Sequence, residues 1–275
     1  MPARHPQRIV CLTEESTETL YLLGEERRIV GISGYTVRPP RARREKPRVS
    51  AFLSAKTEKI LELKPDLVVG FSDLQADIAR DLAKAGLNVL IFNQRSVQQI
   101  LDMILALASL VGVGDKGAAL VKKLEDGLDE IRRAGARLPK RPKVYFEEWD
   151  EPMISAIRWV SELVEIAGGE DILAAQSHSQ AASGRIVSDS RVVIEKNPDV
   201  ILGSWCGKKF RPERVAARAG WQAIAAVREN QLFEIKSADI LQPGPAALTD
   251  GVRRIHELLR DSVLRAARTR SSAGA

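Results

Sequence analysis

Two stretches of the chain repeat one pattern. Ile60-Leu61-Glu62-Leu63-Lys64-Pro65-Asp66-Leu67-Val68-Val69-Gly70 is echoed by Val193-Ile194-Glu195-Lys196-Asn197-Pro198-Asp199-Val200-Ile201-Leu202-Gly203. Each predicts a short helix, a Pro-Asp turn, an apolar strand and a glycine where the strand exits. Proline cannot continue the helix and pre-sets the turn. The β-branched run after it fits a parallel strand buried on both faces. One such unit marks an α/β layer. Two of them, separated by about half the chain, predict two similar α/β lobes with parallel sheets and a ligand cleft between the lobes.

The rest of the pattern agrees. Strands are expected at 8–12, 28–33, 66–70 and 88–93, with helices at 17–24, 57–63 and 77–85 between them. From Val97 to Arg137 the strand signals vanish. Ile100, Leu101, Ile104, Leu105 and Ala108 predict one amphipathic helix, and Leu120, Val121, Leu124, Leu128 and Ile131 a second, long one. Strands then return at 143–146, 199–203 and 231–235. Glu147-Glu148-Trp149-Asp150-Glu151-Pro152 is expected as an exit loop, and helices are expected at 161–167, 212–228 and 246–264. This gives an N-terminal α/β lobe (1–96), a helical connection holding one long helix (97–137) and a C-terminal α/β lobe with a terminal helix (138–275).

Composition narrows the function classes. Of the 275 residues 44% are hydrophobic, enough for a core, and the formal charge is +6. The densest basic run, Arg38 to Lys46, comes with no nucleic-acid reader motif, so no nucleic-acid partner is expected. The two cysteines, Cys11 and Cys206, make no disulfide framework. No apolar run approaches the ~20 residues that span a bilayer. Met1-Pro2-Ala3-Arg4-His5-Pro6 contains no signal-peptide core. The chain is expected to be cytoplasmic if Met1 is the natural start and periplasmic if a signal has been removed.

Catalytic motifs are missing. Gly112-Val113-Gly114-Asp115-Lys116-Gly117 fits GxGxxG, but a helix rather than a strand precedes it. There is no phosphate loop, no HExxH, no CxxC and no GxSxG. What remains stands at strand exits, where parallel sheets bind ligands. The first half places Glu14, Glu15, Tyr35, Arg38, Phe52, Phe71 and Asp73 there, and the second half Glu147, Glu148, Trp149, Asp150, Trp205, Cys206 and Lys208. Aromatics supply rigid contact area, and the few polar groups fix orientation. Two readings stay open for the carboxylates. They are favourable charge at helix N-termini, or, with Cys206 or His178, they hold a metal or a metal chelate.

These residues resemble the substrate-binding proteins of the cobalamin and ferric-siderophore ABC transporters, the helical-backbone type of periplasmic binding protein. The resemblance runs from residue 8 to about residue 262. It rests on Arg8-Ile9-Val10, Thr17-Glu18-Thr19-Leu20, Val30-Gly31-Ile32-Ser33-Gly34-Tyr35, Pro39-Pro40, Val49-Ser50-Ala51-Phe52, the Pro65-Asp66 phrase and Glu165-Ile166-Ala167-Gly168-Gly169. Within the family the vitamin B12 binders are nearest, through Ser33-Gly34-Tyr35, Pro39-Pro40 and Val49-Ser50-Ala51-Phe52.

The resemblance implies two lobes joined by one long helix, with little hinge motion. It implies non-catalytic binding of cobalamin or a related metal chelate as ligand, with no intrinsic cofactor. Tyr35, Phe52 and Phe71 would line the cleft, with Trp149 and Trp205 opposite. Arg38, Lys208, Glu148 and Gln242 would add polar contacts, beside Glu15, Asp73 and Cys206. The family docks on an ABC permease through one glutamate on each lobe. Glu58 fits the first position, and Asp189, followed by Arg191, stands in for the second. Glu14-Glu15 replaces small uncharged residues, and Arg38 replaces an aromatic that would face a corrin. A monomer is expected. The alternatives are a metal-binding or enzymatic protein using the cleft carboxylates with Cys206, a cytoplasmic relative that holds or senses a ligand without feeding a transporter, and a cytoplasmic regulator whose basic loop 38–46 meets a partner.

Overall fold

The computed structural model describes residues 5–273, with side chains through Arg268. The first four residues, part of the start that was read for a signal peptide, lie outside the described residues. The chain divides into two compact units, residues 1–125 with 242–246 and residues 126–241 with 247–275.

In the first unit five strands alternate with helices. β1 (Ile9–Cys11) leads to α1 (Glu14–Leu22), β2 (Ile29–Ser33) to α2 (Ala42–Glu45), and β3 (Arg48–Ser50) to α3 (Thr57–Glu62). β4 (Leu67–Phe71), α4 (Ala76–Lys84), β5 (Val89–Phe92) and α5 (Val97–Leu110) follow. The sheet order is β3-β2-β1-β4-β5, and every pairing is parallel. The side-chain period of two divides each strand between two cores. Ile9, Cys11, Leu67 and Val69 face one, with Leu107 of α5, while Val10, Leu12 and Val68 face the other, with Ile60 and Leu82. Burial pushes the Cys11 thiol up to about 12, so this cysteine serves as a small core hydrophobe. β3 was legible only as part of a motif, because its three residues carry a single buried apolar side chain, Val49.

The Pro-Asp pattern has a structural reason in each unit. Asp66 accepts from the backbone N–H groups of Gln7 (2.7 Å) and Arg8 (2.9 Å), and its own N–H donates to the Arg8 carbonyl at 2.9 Å. The turn is thereby tied to the chain entering β1. Both residues before the prolines, Lys64 and Asn197, sit in the left-handed region at φ 47° and 46°.

α6 (Gly114–Gly135) carries the chain from the first unit into the second. There β6 (Lys143–Asp150), β7 (Met153–Ser155), α7 (Arg158–Ile166), β8 (Glu170–Asp171), α8 (Ala174–Ser177) and α9 (Arg191–Lys196) precede β9 (Val200–Gly203). α10 (Pro212–Ala216), α11 (Ala225–Arg228), β10 (Leu232–Glu234), α12 (Ser237–Ile240) and α13 (Val252–Ala273) follow. The strand order is β10-β9-β6-β7, with β8 also on β6. Asp199 repeats the role of Asp66, accepting from Lys143 N at 2.8 Å as the chain enters β6.

Three expectations are corrected here. Residues 147–150 are not an exit loop: β6 runs through Asp150 and pairs antiparallel with β7, which makes this sheet mixed. The polar segment can be a strand because its buried carboxylates find cationic partners, described below. The helix expected over 212–228 breaks into α10 and α11 around Gly220, which stands at φ 78°. The terminal helix opens with a π-helical turn at Ala247–Gly251 and continues through Ala273.

Gly135, at the end of α6, meets the turn after α7. A Cβ on Gly135 would lie 2.8 Å from Gly168 N, and one on Gly168 would lie 2.7 Å from Gly135 Cα. Gly168 also stands at φ 96°. Only glycine at both positions permits this contact.

Candidate functional site

In the first unit the carboxyl ends of the strands gather polar side chains around a few aromatics. β1 exits into Thr13, and the first two turns of α1 are buried, including Glu14, Glu15 and Glu18. The Thr13 hydroxyl donates to Glu15 Oε1 at 2.5 Å, while Glu15 Oε2 is buried with no hydrogen-bond partner. Burial pushes the Glu14 carboxyl up to about 7. It pushes that of Glu15 up to about 8, against the Thr13 hydrogen bond and with help from the charges of Glu14 and Glu18.

The segment 242–246 belongs to this unit and lies across the same end. Gln94 Nε2 donates to the Pro243 carbonyl at 3.0 Å, and Ala246 N donates to Glu18 Oε2 at 3.0 Å. A Cβ on Gly244 would come within 2.4 Å of Glu15 Cβ, so glycine lets this backbone close over the buried glutamate. Gln242, beside it, is half-buried.

β4 exits into Ser72, a non-glycine residue at φ 68°, which turns the chain sharply. Buried Gln75 bridges two of the expected aromatics. Its Oε1 accepts from Phe71 N (3.0 Å) and its Nε2 donates to the Phe52 carbonyl (2.9 Å). Arg95 lies over the Phe71 ring at 4.8 Å and pairs with Asp73 at 3.1 Å. Phe71 is consequently buried, Phe52 half-buried and Tyr35 exposed. Arg38 is held by Glu18, Nε to Oε1 at 2.9 Å. Glu58 is exposed on α3.

In the second unit Glu147, fully buried, accepts from four donors. These are Tyr145 Oη (3.1 Å), Trp205 Nε1 (3.1 Å), and Arg218 Nη1 (2.6 Å) and Nη2 (2.9 Å). A buried carboxylate is tolerable only when paired in this way. Glu148 is clamped by the buried Arg185, whose Nη1 donates at 2.5 Å. Asp150 pairs with Lys208, and Arg214 lies 3.6 Å away. The Lys208 ammonium also stands over the rings of Trp149 (3.9 Å) and Trp205 (5.2 Å).

Trp205 is packed into the core, edge-on to Phe210 at 5.0 Å, whereas Trp149 is half-buried. Cys206 is exposed. Asp189 is engaged by Arg191 through both oxygens, at 2.7 to 3.0 Å.

The structure therefore joins Phe52, Phe71 and Asp73 in one network, and Trp149, Trp205 and Lys208 in another. It leaves Tyr35, Cys206 and Glu58 at the surface. Among the described residues no three or more His, Cys, Asp or Glu side chains are grouped to hold a metal ion. Sequence reasoning missed Gln94 and Arg95, although both follow the exit of β5 and the strand-end rule reaches them. It also missed Arg185 and Arg218, which no local pattern marks, because only the folded unit brings them to Glu148 and Glu147.

The periplasmic binding protein family matches residues 9–238. The chain belongs to this family. Members and relatives cover nearly all of it. The vitamin B12-binding protein of Vibrio cholerae is 28% identical over 265 residues, 92% of this chain and 89% of that protein. An uncharacterised ABC transporter substrate-binding lipoprotein of Bacillus subtilis is 24% identical over 263 residues, 92% of this chain and 80% of its own length. The solved structure of a possible iron-binding, periplasmic solute-binding protein from Staphylococcus epidermidis superposes with a TM-score of 0.81. It is 20% identical and covers 93% of this chain and 99% of its own. As in other periplasmic binding proteins, the fold comprises two α/β units, and no described helix is long and apolar enough to cross a membrane.

Proposed function

We propose that this periplasmic binding protein holds cobalamin or a related metal chelate without chemically changing it, and delivers it to an ABC permease on the outer side of the cell membrane. The observation that carries this reading is the exposed or half-buried set Tyr35, Phe52 and Trp149 at strand ends, set among charges that are already paired. Flat apolar faces beside fixed polar groups suit a large planar ligand. The likeness to a vitamin B12 binder supports the same class.

The alternative, a metal site or enzyme built from the carboxylates with Cys206, loses the carboxylates of the second unit. Glu147, Glu148 and Asp150 are each committed to a cation of the protein itself. Docking through Glu58 fits its exposure on α3. Asp189 is a weaker second contact, because Arg191 neutralises it.

Titration with cyanocobalamin, hydroxocobalamin and haemin, read by tryptophan fluorescence and calorimetry, tests the reading. The expected result is a Kd below about 10 µM for at least one of them, roughly −7 kcal/mol. Binding no tighter than ~1 mM for all of them, near −4 kcal/mol, would overturn it.

A further inference from the structure

Beside the residues considered so far, the first unit contains a concavity of about 640 Å³ at the free edge of its sheet. β2 exits there at Ser33-Gly34 and β3 at Ser50-Ala51, and the chain turns back through 51–56 to enter α3. Backbone bonds fix these walls. Gly34 N donates to the Ser50 carbonyl (2.7 Å), Ala51 N to that of Ser54 (2.8 Å) and Lys56 N to that of Val49 (2.9 Å). The main chain of the walls is thus largely satisfied, and the unmet polar capacity lies in side chains.

That capacity has one sign. Arg48, Lys56 and Lys59 line the concavity together with Ser50 and Ser54, and no carboxylate lines it. All three cations are exposed, and no side-chain hydrogen bond or ion pair engages them among the described residues. Three like charges around one concavity raise the local positive potential and draw anions to it. An anion with several oxygens can pair with more than one of them.

We propose that this concavity is a binding site for a small phosphate-bearing anion, separate from the chelate-binding residues. Lysines act on phosphate as point charges, and an arginine adds a planar fork of donors. The volume exceeds that of a bare oxyanion and falls in the range of small-molecule sites, ~300–1,000 Å³. An organic phosphate or a pyrophosphate therefore fits it better than a single phosphate ion. None of Tyr35, Arg38, Phe52 or Phe71 lines it, so its occupancy does not depend on the chelate reading.

Calorimetric titration of the full chain with inorganic pyrophosphate at low ionic strength tests the site, using Lys56→Glu/Lys59→Glu and, as a surface control, Arg43→Glu/Arg44→Glu. The expected result is saturable binding with a Kd below roughly 1 mM, weakened about tenfold or more in the first variant and less than about twofold in the control. Cyanocobalamin titrations on the same variants report the chelate site separately and are expected to be unchanged. Three results would overturn the site: no pyrophosphate binding, equal loss in both charge-reversed variants, or binding only to phosphatidylglycerol vesicles. The last would assign the charge to a membrane surface.

Discussion

Arg218 closes a two-pronged hydrogen bond on Glu147, a carboxylate with no exposure to solvent. The same carboxylate accepts from Tyr145 on its own strand and from the indole of Trp205 after β9, so one charge pair orients both aromatics. Arg218→Met removes the counter-charge and leaves a buried anion. Unfolding in urea is expected to show a loss of about 3–5 kcal/mol. The double variant Arg218→Met/Glu147→Gln is expected to recover much of it, because a neutral amide at 147 leaves no uncompensated buried charge. Equal stability of the single and double variants would contradict this account.

The buried glutamates of α1 give the protein a pH dependence with a definite sign. Burial raises Glu14 to about 7 and Glu15 to about 8, from an ordinary value of 4.5. Between the unfolded and folded values the native state binds more protons than the unfolded state. Stability is therefore fully present below pH ~4.5 and falls as pH rises toward 8, by at most ~1.4 kcal/mol per pH unit for each group. Glu15→Gln is expected to flatten this slope and to raise the melting temperature at pH 8. A stability curve for the variant parallel to that of the parent would refute the assignment.

Lys64 occupies the left-handed region at φ 47° with no glycine to relieve it, and its counterpart Asn197 does so at φ 46° with a side chain that tolerates it. Lys64→Gly is expected to stabilise the protein by ~0.5–1 kcal/mol in chemical denaturation, the relief of strain outweighing the added flexibility of the unfolded chain. Asn197→Lys is expected to destabilise it by a similar amount.

Gly135 and Gly168 touch backbone to backbone, so a methyl group on either forces α6 away from the turn after α7. Gly135→Ala is expected to cost about 1–3 kcal/mol. Gly168→Ala is expected to cost more, because it adds the penalty of a positive φ. Hydrogen exchange at the end of α6 and in the turn after α7 is the local readout, and should accelerate there first.

The local grammar of the chain was readable from its residues. The two Pro-Asp phrases determined two helix–turn–strand units. The structure supplies their reason, since Asp66 and Asp199 each tie the turn to the chain entering a neighbouring strand. The strand exits also pointed to most of the residues that gather around Phe71 and Trp149. Tertiary structure alone decided which of these remain available. Trp205 became core because Glu147 could bond its indole from a neighbouring strand. Asp150 and Glu148 ceased to be free ligands because Lys208 and Arg185 reached them across 58 and 37 residues. Residues 147–150 became strand because those cations neutralised them and β7 offered a partner. Periodicity and turn chemistry act over a few residues and are written in the sequence. Pairing of buried charge acts over distances that only the folded chain sets.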